Sequence, residues 1–170
     1  MTKESYVPVF NNTDYFYLGC LTYRYFMGSS HIVQKNIFKE YGGYDEKFGA
    51  GSKYYACEET DYLFRLLAGK EKVLYAPELV YYHPTGRNAC KEKTYKYWYG
   101  NGALFAKHIV RIRKNIHIYL FLFFGSLIRT IFRILISFLK EGRIDKKQYY
   151  VLKGNLDGFK EYLFKNILCQ

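Results

Sequence analysis

Residues 58–69, Glu-Glu-Thr-Asp-Tyr-Leu-Phe-Arg-Leu-Leu-Ala-Gly, carry the pattern of a short amphipathic helix that ends on glycine. Tyr62, Leu63, Leu66 and Leu67 recur at the spacing of one helix face, while Glu58, Asp61 and Arg65 fall on the opposite one. Gly69 stands where a C-cap is expected. Acids in the first turn complement the positive end of the helix dipole, each by about 0.3–1 kcal/mol. Arg65 follows Asp61 by one turn, the spacing at which the two can pair.

Before this helix, Gly28-Ser29-Ser30 signals a turn, residues 31–34 a short strand, and residues 36–40 a short helix. Gly42-Gly43 stops that helix, because consecutive glycines favour a left-handed or otherwise special backbone. Residues 48–52, Phe-Gly-Ala-Gly-Ser, read as a second, flexible loop, and residues 1–27 as loop without a clear period. After Gly69, residues 73–76 and 79–82 read as short strands around Pro77. A turn at 85–87 then leads into a long helical region from about residue 91 to 114.

Residues 116–140 form the most apolar stretch, but Arg129 and Arg133 break its uninterrupted run below the ~18–20 residues of a spanning helix. On a 3.6-residue period, Ser126, Arg129, Thr130, Arg133, Ser137 and Lys140 share one stripe, and Leu, Ile and Phe dominate the rest. That is the pattern of an amphipathic helix lying in a membrane interface with its basic stripe toward anionic headgroups. A helix buried in a bundle and an imperfect transmembrane segment are the competing readings.

Charge supports the interfacial one. The chain carries a net charge of +11. Between Lys107 and Lys147 ten basic residues face only Glu141 and Asp145, a net of +8, against +3 for everything else. The basic character therefore belongs to the apolar segment and its flanks. Nucleic-acid binding is disfavoured, since the cations accompany Leu, Ile and Phe rather than exposed stacking platforms. The expected location is cytoplasmic, peripheral on the inner face of the cell membrane. Cysteines at 20, 57, 90 and 169 show no zinc-ligand spacing and read as free thiols. Residues 1–10 lack the apolar segment of a secretory signal.

Six short motifs follow one another between Gly28 and Pro84. They are Gly-Ser-Ser at 28–30, Tyr-Gly-Gly-Tyr-Asp-Glu-Lys-Phe-Gly at 41–49, Glu-Glu-Thr-Asp at 58–61, Tyr-Leu-Phe-Arg-Leu-Leu-Ala-Gly at 62–69, Tyr-Ala-Pro-Glu at 75–78 and Tyr-Tyr-His-Pro at 81–84. In this order and spacing they resemble the acceptor side of the family 2 glycosyltransferases. Leu-Lys-Gly-Asn-Leu-Asp-Gly-Phe at 152–159 is similar to the end of bacterial members. The resemblance implies an α/β class: residues 1–90 as the C-terminal part of a GT-A domain, and residues 91–170 as a helical, membrane-associated extension. It implies inverting sugar transfer from a nucleotide-diphosphate sugar to a glycan or lipid-linked acceptor. Glu59 matches the general base that takes the proton of the attacking hydroxyl. Glu58 and Asp61 would orient the site, Asp45, Glu46 and Arg65 would border the acceptor, and His83 would lie near a metal.

The family's nucleotide-binding half, with its D-x-D metal motif, has no counterpart. Only 27 residues precede Gly28, where two or three βαβ units of ~30 residues each are needed. The expectation is a truncated or split transferase, inactive alone and completed by a partner chain. Mn²⁺ or Mg²⁺ would be required only once that donor-binding half is supplied. The alternative is a non-catalytic, membrane-associated accessory or scaffold protein.

Overall fold

The computed structural model describes residues 31–73, 90–113 and 115–168. Helix α1 is Lys35–Tyr41, α2 Glu58–Ala68, α3 Lys91–Lys107, α4 Ile116–Glu141 and α5 Lys146–Leu163, with π-helical turns at His108–Ile112 and Phe164–Leu168. The helices expected near 36–40, 58–68, 91–114 and 116–140 are all present. The expected α/β class is not. The described residues are helical and contain no strand, which overturns the partial GT-A architecture. Residues 31–34 have no regular structure, nor has Val73; positions 74–76 and 79–82 lie outside the described residues, as do residues 1–27. A four-residue extended segment needs a neighbouring strand to satisfy its backbone donors and acceptors. None exists among the described residues, so residues 31–34 find no strand there to pair with.

The chain divides into two compact units, Met1–Asp45 with Glu59–Arg87, and Glu46–Glu58 with Asn88–Gln170. In the first, Gly42 ends α1 with φ 71°, the left-handed stop its sequence implies. At the end of α2 the left-handed residue is Lys70, not Gly69. Gly69 leaves room for the Tyr41 ring instead; a Cβ there would lie 2.0 Å from the hydroxyl oxygen and displace that side chain. That hydroxyl donates to Glu71 at 2.8 Å. Tyr62 packs against Phe38 and Tyr44, with ring centroids 6.1 and 5.5 Å away. Asp61 is buried together with Tyr62, Leu63, Phe64, Leu66 and Leu67, so one acid of the polar face of α2 is withdrawn from solvent.

The second unit is organised by glycines on α3 and α5. A Cβ on Gly158 would lie 1.9 Å from the Tyr99 carbonyl oxygen, one on Gly102 2.0 Å from that of Asn155, and one on Gly154 2.6 Å from that of Tyr95. The two backbones therefore touch, as small-x-x-x-small spacing allows. Asn101 donates to Asn155 at 2.9 Å inside this contact, and Asn155 donates to the Val151 carbonyl. Tyr95 donates to Asp157 at 2.8 Å, and Tyr99 donates to Glu161. Tyr54, fully buried, is enclosed by Phe48, Tyr99 and Tyr162. The first half of α4 joins this core through Phe123, whose ring stacks on Phe159 at 4.4 Å and meets Phe105 at 5.8 Å.

These tyrosines give the fold an alkaline limit. Burial, then the hydrogen bond to Asp157, pushes Tyr95 up to about 12 from 10.0. The bond to Glu71, then burial, raises Tyr41 equally. A folded value above the unfolded one gives stability that is complete below pH ~10 and declines as pH rises toward ~12. Urea midpoints should fall across that window, and fall less steeply in Tyr95→Phe.

Candidate functional site

The geometry around α2 is set by one guanidinium. Arg65 Nε donates to Asp61 Oδ2 at 3.0 Å, pairing the two residues as their one-turn spacing implies. Its terminal nitrogens donate to the carbonyls of Tyr41 and, at 2.6 Å, of Gly43. The same cation lies 5.0 Å from the centre of the Tyr62 ring. Burial raises the Tyr62 hydroxyl above its ordinary range, with Arg65 opposing. The Tyr-Gly-Gly segment after α1 is thus tied to the acidic helix through a residue whose counter-charge, Asp61, is 0% exposed. A bidentate donor such as arginine suits this task, since its fixed fork reaches several acceptors at once.

The segment expected to be a flexible loop, residues 48–52, is an ordered turn. Ser52 Oγ makes bonds to the carbonyls of Gly49 and Lys47 at 2.8 and 2.9 Å, and Phe48 is buried. Gly49, at φ 103°, lies against the Glu58 carboxylate; a Cβ there would come within 3.0 Å of its Cδ and 3.2 Å of Oε2. Only glycine meets both conditions. Tyr55 and Cys57 take positive φ (62° and 76°) immediately before the acidic pair. Left-handed backbone at residues with a Cβ costs roughly 1–2 kcal/mol each, and such strain gathers at functional positions.

All but one of the sequence-derived site residues lie among the described residues. Asp45, Glu59, Asp61 and Arg65 belong to the first unit, Glu46 and Glu58 to the second. Glu58, Glu59 and Asp45 are half-buried, and Glu46 is exposed. His83 lies outside the described residues. In the first unit the Tyr41 and Gly43 carbonyls accept from Arg65, a role that helix and turn patterns do not indicate. No family model, curated protein or solved structure matches this chain. The chemistry of the site therefore rests on its own residues. Among the described residues no three His, Cys, Asp or Glu side chains are grouped to hold a metal, and Asp61 is engaged by Arg65.

Proposed function

We propose that this chain is the acceptor side of a split or truncated sugar-transferring enzyme resembling the family 2 glycosyltransferases, completed by another polypeptide that binds the donor. The observation that carries this reading is the Arg65 clamp. It joins Tyr41-Gly42-Gly43 to the helix opened by Glu58 and Glu59, making one piece of the two motifs that the resemblance puts beside the acceptor. In the transfer, the acceptor oxygen forms a bond to the anomeric carbon while the bond to the diphosphate breaks, and the hydroxyl proton passes to a carboxylate. Glu59 takes that role, as the resemblance implies, while Asp61 holds Arg65. Arg65 acts as a positioning residue, with its N–H groups directed at protein. Mn²⁺ or Mg²⁺ would enter with the donor side, as would the nucleotide sugar.

The test is genetic and biochemical. Removing the chain from the cell that makes it should alter the sugar composition of a glycan or lipid-linked product. Restoring wild-type chain should repair it, and restoring Glu59→Gln should not. The purified chain alone should neither transfer sugar nor hydrolyse nucleotide sugars. Full repair by Glu59→Gln would show a non-catalytic scaffold instead, and turnover by the isolated chain would show that no donor-side partner is needed.

A further inference from the structure

Helix α4 is turned the wrong way for a water-soluble protein. Its inward residues, Ile118, Tyr119, Leu122, Phe123, Ser126, Leu127 and Thr130, include two of the three hydroxyl residues of its polar stripe. Thr130 Oγ1 bonds the Ser126 carbonyl at 2.8 Å, and both side chains are buried. The stripe expected to face headgroups is therefore divided: Ser126 and Thr130 face the protein, while Arg129, Arg133 and Lys140 remain exposed on its flank. The outward face is purely apolar. Phe121, Phe124, Ile128, Phe132, Leu135 and Leu139 follow one another at three- or four-residue steps, and Phe121, Phe132 and Leu139 are 68%, 61% and 81% exposed. No residue beyond Thr130 in α4 is buried. An apolar band of this length left open on a folded unit marks an interaction surface.

Charge identifies what covers it. Arg129, Arg133 and Lys140 line one side of the band, and Arg143, Lys146 and Lys147 stand just beyond its end, opposed by Glu141 and Asp145 alone. Arg133, Lys140, Arg143 and Lys146 also border an open groove with Ile136 and Ile144. Apolar side chains edged by cations match a bilayer surface whose phosphates are anionic. By length and apolar composition α4 is also long enough to span a bilayer. Its surroundings oppose that. Phe123 stacks on Phe159, which is followed by exposed Lys160 and by Glu161, and a spanning α4 would draw these charges into hydrocarbon. The part of α4 after Thr130 is only eleven residues, roughly 16 Å, about half of a ~30 Å hydrocarbon core.

We infer that α4 lies in one leaflet of an anionic membrane, its Phe121–Leu139 band in the acyl region and its basic flank on the lipid phosphates. This holds whether or not the chain takes part in sugar transfer, so the two readings fail separately. The full chain should float with phosphatidylglycerol-containing vesicles, bind pure phosphatidylcholine weakly, and be partly released by high salt. Arg129→Glu with Arg133→Glu should weaken binding about 25-fold or more, taking each basic residue near the surface as worth about 1 kcal/mol. Phe132→Asp with Leu135→Asp should abolish binding with the circular dichroism unchanged, since both residues face outward. Trypsin added outside should cut both at Arg111–Arg113 and at Lys146–Lys147 in bound chain. Protection of one flank would overturn the inference in favour of a spanning helix. Absence of vesicle binding would also overturn it, as would a stable dimer dispersed by Phe132→Asp, which would make the occupant a second copy.

Discussion

Gly158→Ala should remove the cooperative unfolding transition of the second unit, or lower its stability by more than the ~1–3 kcal/mol usual for overpacking. The added Cβ would meet the Tyr99 carbonyl oxygen at 1.9 Å, its carbon at 2.7 Å and its Cα at 3.0 Å. All three are backbone atoms of a helix, so no side chain can turn aside. The helices would have to separate. Separation would stretch the buried Asn101–Asn155 bond and withdraw Tyr95 and Tyr99 from Asp157 and Glu161. Gly102→Ala should act alike from the other helix, meeting the Asn155 carbonyl oxygen at 2.0 Å. Gly125→Ala is the internal control. A Cβ there meets nothing within 4 Å, and alanine in a helix interior is favoured over glycine by about 1 kcal/mol. Urea denaturation of the three variants checks the argument. Equal stability of Gly158→Ala and wild type would mean that α3 and α5 are not in backbone contact.

The same glycines show what could be read from the sequence and what could not. Helices announced themselves by period, and the Asp61–Arg65 pair by its one-turn spacing, because both are local. The strand expected at 31–34 fails for the complementary reason: a four-residue apolar run is ambiguous until a pairing partner is found, and among the described residues none is. The segment 152–159 carries a family resemblance, yet its physical content is the Gly154-x-x-x-Gly158 step that lets α5 rest on α3. That spacing was legible; its partner, Gly102, was not, since nothing local says which helix will arrive there. In the site, the acids were visible, but not which of them would be occupied. Asp61 sits on the side of α2 that a binary pattern assigns to solvent, and it is buried because Arg65 must be neutralised where it reaches back to Tyr41 and Gly43. Likewise the period of α4 places its polar residues on one stripe, but the division of that stripe between buried Ser126 and Thr130 and exposed Arg129, Arg133 and Lys140 depends on tertiary packing.

With a donor-binding partner supplied, Glu59→Gln should lower kcat by ~10²–10⁴-fold, the usual contribution of a general base, with donor binding nearly unchanged. Glutamine keeps the shape and hydrogen-bonding reach of the side chain but takes no proton at neutral pH, so folding should be preserved and only the chemical step impaired. Asp61→Asn should behave differently. It removes the charge opposite Arg65 at a fully buried position, and breaking a buried pair destabilises by up to ~3–5 kcal/mol. The expected value lies at or below the lower end, because the Arg65 side chain keeps 19% of its surface exposed to solvent. Its activity loss should therefore follow the loss of folded protein and recover under stabilising conditions, whereas that of Glu59→Gln should not. Thermal midpoints measured beside kcat for both variants separate the two roles. Should Asp61→Asn abolish turnover at wild-type stability while Glu59→Gln turns over normally, the base is Asp61, and the clamp would have to open during the reaction.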